Sequence, residues 1–285
     1  MPDVPSLPVD LPPLNDDVSS LLASLERYPD VQAPNLYASD QADTLALRFL
    51  SEAQIHGMAG HRQVSKTVPL LVLNDSYGAI SLGAIALGFE NVLVFQDRLS
   101  WSQAILNNGQ RLLPNQTQKL QQLSMEELVS LENVSPSVIV MKLPRGLEEL
   151  EWMAWVVSRY FRQALLVAVG LQKYMTPSQT ELLKRFFAKV QPSRGFGKAR
   201  ALIATNPLPD GAAEEPVSQA THRIDVLPNK SLELFGVSAT YGSSRIDPGS
   251  RFLIDSLAAN IRVSETERLL DLGCGNGTLA VSMAL

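Results

Sequence analysis

Apolar and polar positions alternate between two periods along the middle of this chain. Five short, nearly continuous apolar runs stand out: Val68–Leu73, Asn91–Phe95, Ser137–Met141, Ala164–Val169 and Ala199–Ala204. Runs of that length predict strands buried on both faces. Between them, Gly78–Leu87, Ser100–Leu112, Leu147–Phe161 and Ser178–Val190 carry apolar residues every three or four positions, the spacing of helices. Strands alternating with helices predict an α/β fold, a doubly wound, Rossmann-like parallel sheet with right-handed crossovers. Upstream, Leu36–Leu50 has helical spacing with Ser39 or Asp40 as a cap, and Val18–Tyr28 could form a short amphipathic helix.

The flanks follow a different pattern. Pro2, Pro5, Pro8, Pro12, Pro13, Pro29 and Pro34 interrupt any regular element, so residues 1–35 are expected to be a Pro-rich tail, with order beginning near Leu36. The first domain is then expected over 36–205. Asn206–Pro216 has Pro, Gly and acidic residues without periodicity and predicts a linker, taken as 206–220. A second domain is expected over 221–285. It would open with a hairpin (Thr221–Leu227, Leu232–Val237) and continue through a helix at Ser250–Asn260 and a strand at Arg268–Leu272.

Composition narrows the class. With 285 residues, 45% hydrophobic and 19% charged, the chain is globular rather than disordered or fibrous and has room for two domains. A net charge of −5 excludes a global basic field, so contact with nucleic acid must be local. A single Cys, Cys274, excludes an internal disulfide framework. No apolar run is long enough to span a bilayer and the N-terminus has no basic start, so a cytoplasmic protein without a membrane partner is expected.

The sharpest chemical signal is Asp271-Leu272-Gly273-Cys274-Gly275-Asn276-Gly277, between an expected strand and a helix. Glycines admit positive φ and let a ligand approach the backbone. The following helix start offers free N–H groups. A carboxylate at the strand end suits a cationic sulfonium or α-amino group better than a pyrophosphate. The first domain repeats the pattern with its chemistry removed: in Val72-Leu73-Asn74-Asp75-Ser76-Tyr77-Gly78, only the last glycine survives. Asn74 and Ser76 would fill the space a cofactor needs. Asp97, after the second strand, stands where such folds often hold a ribose, though a solvated strand-end Asp is the better reading.

Four segments together resemble the bacterial ribosomal RNA guanine-N2 methyltransferases, a group that joins the G-type enzymes acting on the large ribosomal subunit and the C-type enzymes acting on the small one. They are Leu36–Leu47, Pro69–Ile80, Val138–Glu151 and the pair Ser243–Phe252 with Leu269–Gly277. The resemblance implies two tandem methyltransferase-like domains. The first would not bind S-adenosylmethionine and would help recognise ribosomal RNA; the second would bind that cofactor. It implies that Asp271, Gly273, Gly275 and Gly277 contact S-adenosylmethionine and that Asp247 and Gly249 flank the pocket. It implies methylation of a guanine N2, with an N-P-P-[FY] motif holding the amine. No such string occurs in these residues. Lys142-Leu143-Pro144-Arg145 stands at the motif's degenerate counterpart and is given no catalytic role. Asn206-Pro207-Leu208-Pro209 lacks the second consecutive Pro and the aromatic. The expectation is a chain that ends before the motif, C-terminally truncated relative to the family and inactive alone.

Leu182–Arg200 is the densest basic stretch, and Arg194, Phe196, Lys198 and Arg200 are its candidate RNA contacts. A non-catalytic RNA- or protein-binding module is the alternative reading. A nicotinamide oxidoreductase fits less well, because the glycine spacing is not G-x-G-x-x-G.

Overall fold

The computed structural model describes residues 11–52, 54–57, 60–131, 134–209, 216–223, 231–237, 240, 246–260 and 268–284. Residues 1–10 of the expected tail, 210–215 of the expected linker, 224–227 of the expected hairpin and 243–245 of the resembling segment lie outside them. The chain divides into two compact units, Met1–Ala213 and Glu214–Leu285.

The first unit begins with helices α1 (Asp16–Ser24) and α2 (Gln41–Ser51) and a small hairpin, β1 (Gln54–Gly57) with β2 (Gly60–Gln63). The α/β repeat follows: β3 (Leu70–Leu73), α3 (Ala79–Ala86), β4 (Val92–Phe95), α4 (Leu99–Leu112), β5 (Leu120–Leu123), α5 (Met125–Val129), β6 (Val138–Lys142), α6 (Leu147–Tyr160) and β7 (Leu165–Leu171). Then come α7 (Pro177–Leu183), β8 (Phe187–Pro192) and β9 (Ala199–Pro207). Strands β3 to β9 form one sheet in the order β5-β4-β3-β6-β7-β9-β8. β3 pairs in parallel with both β4 and β6, so the order reverses between β3 and β6. In open α/β sheets, ligand crevices lie outside the carboxyl ends of the strands at such a reversal.

The central strands read as apolar runs because both faces are covered. Leu70, Val72, Val92, Val94, Val138 and Val140 join one core cluster with residues of α1 to α4. Alternate residues point to the other pleat face. There Phe95 packs on Trp152 of α6, with ring centroids 5.5 Å apart.

Three features depart from the sequence reading. The sheet is not wholly parallel: β9 runs antiparallel to β7 and to β8. The helix expected over Ser178–Val190 stops at Leu183 and Phe187–Pro192 is an edge strand. Leu182, Leu183, Phe186 and Phe187 are all buried, so the apolar signal continued across the turn at Lys184 although the element changed. The tail expected over 1–35 is too long. Residues 16–24 form α1, capped by Asn15, whose side chain accepts from the Val18 N–H at 2.9 Å. Val18 is fully buried and Leu21 nearly so, both in the core cluster.

The second unit contains the antiparallel hairpin β10 (Val217–Arg223) and β11 (Ser231–Val237), then α8 (Pro248–Asn260) and α9 (Thr278–Ala284). α8 and α9 pack together. The strand expected at Arg268–Leu272 does not form, and Leu270 and Leu272 are 87% and 92% exposed. A parallel strand needs neighbours for its backbone groups. Among the described residues of this unit, the paired strands are β10 and β11, which pair with each other.

Candidate functional site

The glycine turn of the second unit has the backbone that its sequence calls for. Gly273, Gly275 and Gly277 have φ of +82°, +57° and +81°. A Cβ built on Gly273 would meet no atom within 4 Å, so the turn borders open space. The Asp271 carboxylate accepts from the Ala280 N–H of α9 at 3.1 Å. Asn276 Oδ1 accepts from the Thr278 N–H at 3.1 Å and hydroxyl at 2.6 Å. Asp247 Oδ2 accepts from the N–H groups of Gly249 at 2.9 Å and Ser250 at 3.2 Å. That carboxylate therefore caps the start of α8.

The first unit contains a counterpart of this turn that keeps the left-handed backbone at two of the three positions. Asn74, aligned with Gly273, has φ +61°, and Gly78, aligned with Gly277, has φ +90°. Asn is among the few L-residues that enter this left-handed region readily. Ser76, aligned with Gly275, does not share the positive φ. The Asn74 side chain crosses the sheet reversal: its Nδ2 donates to the Lys142 carbonyl at the end of β6, at 3.0 Å. The ends of β3 and β6, already paired neighbours, are thereby tied by a side chain at the sheet reversal.

Lys142 itself supplies a buried ion cluster that no local pattern announced. Its Nζ lies 2.8 Å from Asp43 Oδ1, 2.9 Å from Asp43 Oδ2 and 3.3 Å from Asp40 Oδ2. Asp43 has no solvent exposure. Asp40 is the cap of α2, accepting from the Ala42 N–H at 2.7 Å, while Asp43 Oδ2 accepts from the Asp40 N–H at 2.7 Å. Burial pushes the Asp43 carboxyl up to about 6, against the pull of Lys142. Burial also opposes the Lys142 charge, but the carboxylates of Asp43 and Asp40 outweigh it and hold its pKa above the usual range. Asp75 is likewise buried: its Oδ2 accepts from the Ser81 N–H at 2.8 Å and hydroxyl at 2.7 Å.

A cleft of about 490 Å³ lies over these groups, with Asn74 and Lys142 among its lining residues. One wall comes from the segment between α1 and α2. There Asp30 Oδ2 accepts from the Tyr77 hydroxyl at 2.7 Å and the Trp101 indole N–H at 3.1 Å, and pairs with Arg27 at 3.3 Å. Hydrogen bonds from Tyr77, the Val31 N–H and Trp101, with the Arg27 charge, hold the Asp30 carboxyl below its usual range. Burial and the bond to Asp30 push the Tyr77 phenol up to about 12. Glu149, also lining the cleft, is raised mainly by burial.

The residues expected to touch RNA lie on the β8–β9 hairpin. Arg194 and Lys198 are exposed. Phe196 is half-buried against the core, and the Arg48 guanidinium covers its ring at 4.5 Å. Arg200 sits in β9, with its Nε buried and without a hydrogen-bond partner among the described residues. Asp97 is exposed beyond β4. Asn206 and Pro207 end β9 rather than starting a linker, and neither lines the cleft.

The sheet order, its reversal and the antiparallel last pair define a class I, Rossmann-like methyltransferase fold. Residues 17–208 match the RLMG N-terminal domain family, and the chain belongs to that family. Residues 231–285 match the methyltransferase small domain. The chain is 26% identical over 259 residues to ribosomal RNA large subunit methyltransferase G of Psychromonas ingrahamii, covering 90% of this chain and 62% of that one. It is 30% identical over 277 residues to the protein of that name in a Pseudomonas fluorescens strain, covering 93% and 67%. It thus spans about 62% of the length of the former relative. Among solved structures, it is similar to a T. thermophilus 16S rRNA guanine N2 methyltransferase in complex with AdoMet and guanosine. That match has a TM-score of 0.52 and 14% identity, covering 78% of this chain and 53% of that one.

Proposed function

We propose that this chain carries the RNA-holding unit and the opening of the cofactor-binding unit of an S-adenosylmethionine-dependent ribosomal RNA guanine-N2 methyltransferase. The observation that carries the reading is the contrast between the two corresponding turns. One has three positive-φ glycines, with open space at Gly273; the other has Asn74 bonded across the sheet reversal. A cofactor would rest on the backbone at Gly273, Gly275 and Gly277, with Asp271 at its cationic end; bound there, it would supply the methyl group. Asp247 and Gly249 belong to this reading as residues that shape the start of α8 beside the pocket. The first unit, filled at the equivalent place, would hold RNA through Arg194, Lys198 and Arg200. Phe196, under Arg48, would support the hairpin from within. Methyl transfer is proposed for the protein at its relatives' length, because the N-P-P-[FY] motif is not among these residues. A cytoplasmic location goes with this substrate.

Calorimetry of the 285-residue chain with S-adenosylmethionine tests the cofactor half. One site is expected, lost in Gly273→Val and Gly275→Val and retained in Ser76→Ala. Binding that survives both glycine substitutions would sink the assignment.

A further inference from the structure

The cleft of the first unit persists although its glycine turn is gone. Its floor is closed, since Asn74 is bonded to the Lys142 carbonyl and the Lys142 side chain is only 17% exposed. Its rim is different. Tyr37 is 77% exposed and Tyr174 is 43% exposed, and both line the cleft. Arg98 lies over the Trp101 ring at 4.4 Å and Arg145 over the Tyr174 ring at 4.4 Å.

The charges divide in the same way. Arg27 is paired with Asp30, and Lys142 with Asp40 and Asp43. Arg98 and Arg145 form no salt bridge among the described residues. Glu149 also lines the cleft; burial raises its pKa, and the Arg98 charge works against that rise. The rim thus presents two guanidiniums, each set over an aromatic ring, next to the exposed ring of Tyr37; the Tyr174 ring is taken by Arg145 and by Lys173, whose Nζ lies 4.5 Å from its centroid. Guanidinium forks match phosphate oxygens, and aromatic faces take unpaired bases without regard to sequence. The volume of about 490 Å³ falls within the usual range for small-ligand pockets.

We propose that this cleft holds one unpaired nucleotide of RNA, its base against Tyr37 and its phosphate at Arg98 and Arg145. The proposal rests on the RNA-holding reading of the first unit and gives that reading a second contact, separate from the β8–β9 hairpin. Loss of the cofactor turn and gain of a nucleotide cleft would then be two sides of one change at the same strand ends.

Fluorescence anisotropy with a mixed-sequence single-stranded oligoribonucleotide tests this on the whole chain. Tyr37→Ala and Arg145→Gln alter exposed side chains, and circular dichroism checks that each variant folds. Each is expected to weaken binding by at least about fivefold, from a lost stack or a lost phosphate contact. The double variant R98Q/R145Q should lower the slope of log affinity against log salt by about 0.7–1.4. Unchanged affinity and slope in all three variants overturn the cleft but not the family reading, which the cofactor measurement tests separately. Weakened RNA binding in these variants, with no cofactor binding by the same chain, supports the cleft and counts against the cofactor reading alone. Guanosine monophosphate serves as the competing probe. If its binding responds to Tyr37→Ala while that of the oligonucleotide does not, RNA is overturned as the occupant.

Discussion

Asn74 and Lys142 meet across the junction of β3 and β6, where the strand order reverses, side chain to main-chain carbonyl at 3.0 Å. Asn74 holds a left-handed backbone at φ +61° while making that bond. Asn74→Ala should therefore lose both the bond and the conformational fit, a cost of about 2–3 kcal/mol. Asn74→Gly keeps the conformation and should cost less, about 1 kcal/mol. Urea unfolding of the two variants checks this. Equal costs would mean that the left-handed backbone contributes nothing.

Lys142→Met should be far more damaging. It leaves Asp43 buried without its counter-charge, and breaking a buried pair in this way costs about 3–5 kcal/mol. The double variant K142M/D43L should recover most of that loss in the same urea measurement, since no unpaired charge remains at position 43. Failure of the second substitution to rescue would point to Asp40 as the decisive partner.

Asp30 sets a pH dependence whose sign follows from its lowered pKa. A carboxylate held more acidic in the folded state than in the unfolded state favours folding above the unfolded value. That contribution disappears as pH falls through the folded value. Asp30→Asn should therefore destabilise near neutral pH, by about 1–2 kcal/mol. The gap to the unsubstituted chain, followed by urea unfolding across the acid range, should close as pH falls through the lowered folded-state value. A gap that persists in acid would place the loss in packing around Tyr77 and Trp101 instead.

The hairpin contact is tested by charge reversal. Arg194→Glu with Lys198→Glu should weaken ribosomal RNA binding and lower its salt slope by about 1.4–1.8. An unchanged slope in filter binding would remove the hairpin from the RNA surface.

What was legible in the sequence follows from burial. β3, β4, β6, β7 and β9 carry apolar residues on both faces and stood out as runs. β5, with the sequence LQQL, lies at the sheet edge with one buried residue, so it had no such run to show. β8 was hidden by the apolar residues of α7 just before it. The glycine turn and its altered copy could be read because a backbone conformation restricts residue type directly. The pairing of Asp43 with Lys142 could not. The two are 99 positions apart, and Asp43 reads locally as the third residue of a capping box. The Asp30 network was missed because it lies in a stretch where Pro29 and Pro34 suggested only a tail.

That stretch has a practical meaning for anyone shortening the gene. A version beginning at Leu36 would discard Val18 and Leu21 from the core and Arg27 and Asp30 from the cleft wall. Tyr77 and Trp101 would lose the carboxylate that orients them, and α3 would face water where α1 now covers it. A protein trimmed at that apparent boundary would report on a damaged surface, and a negative RNA-binding result from it would say nothing about the intact one.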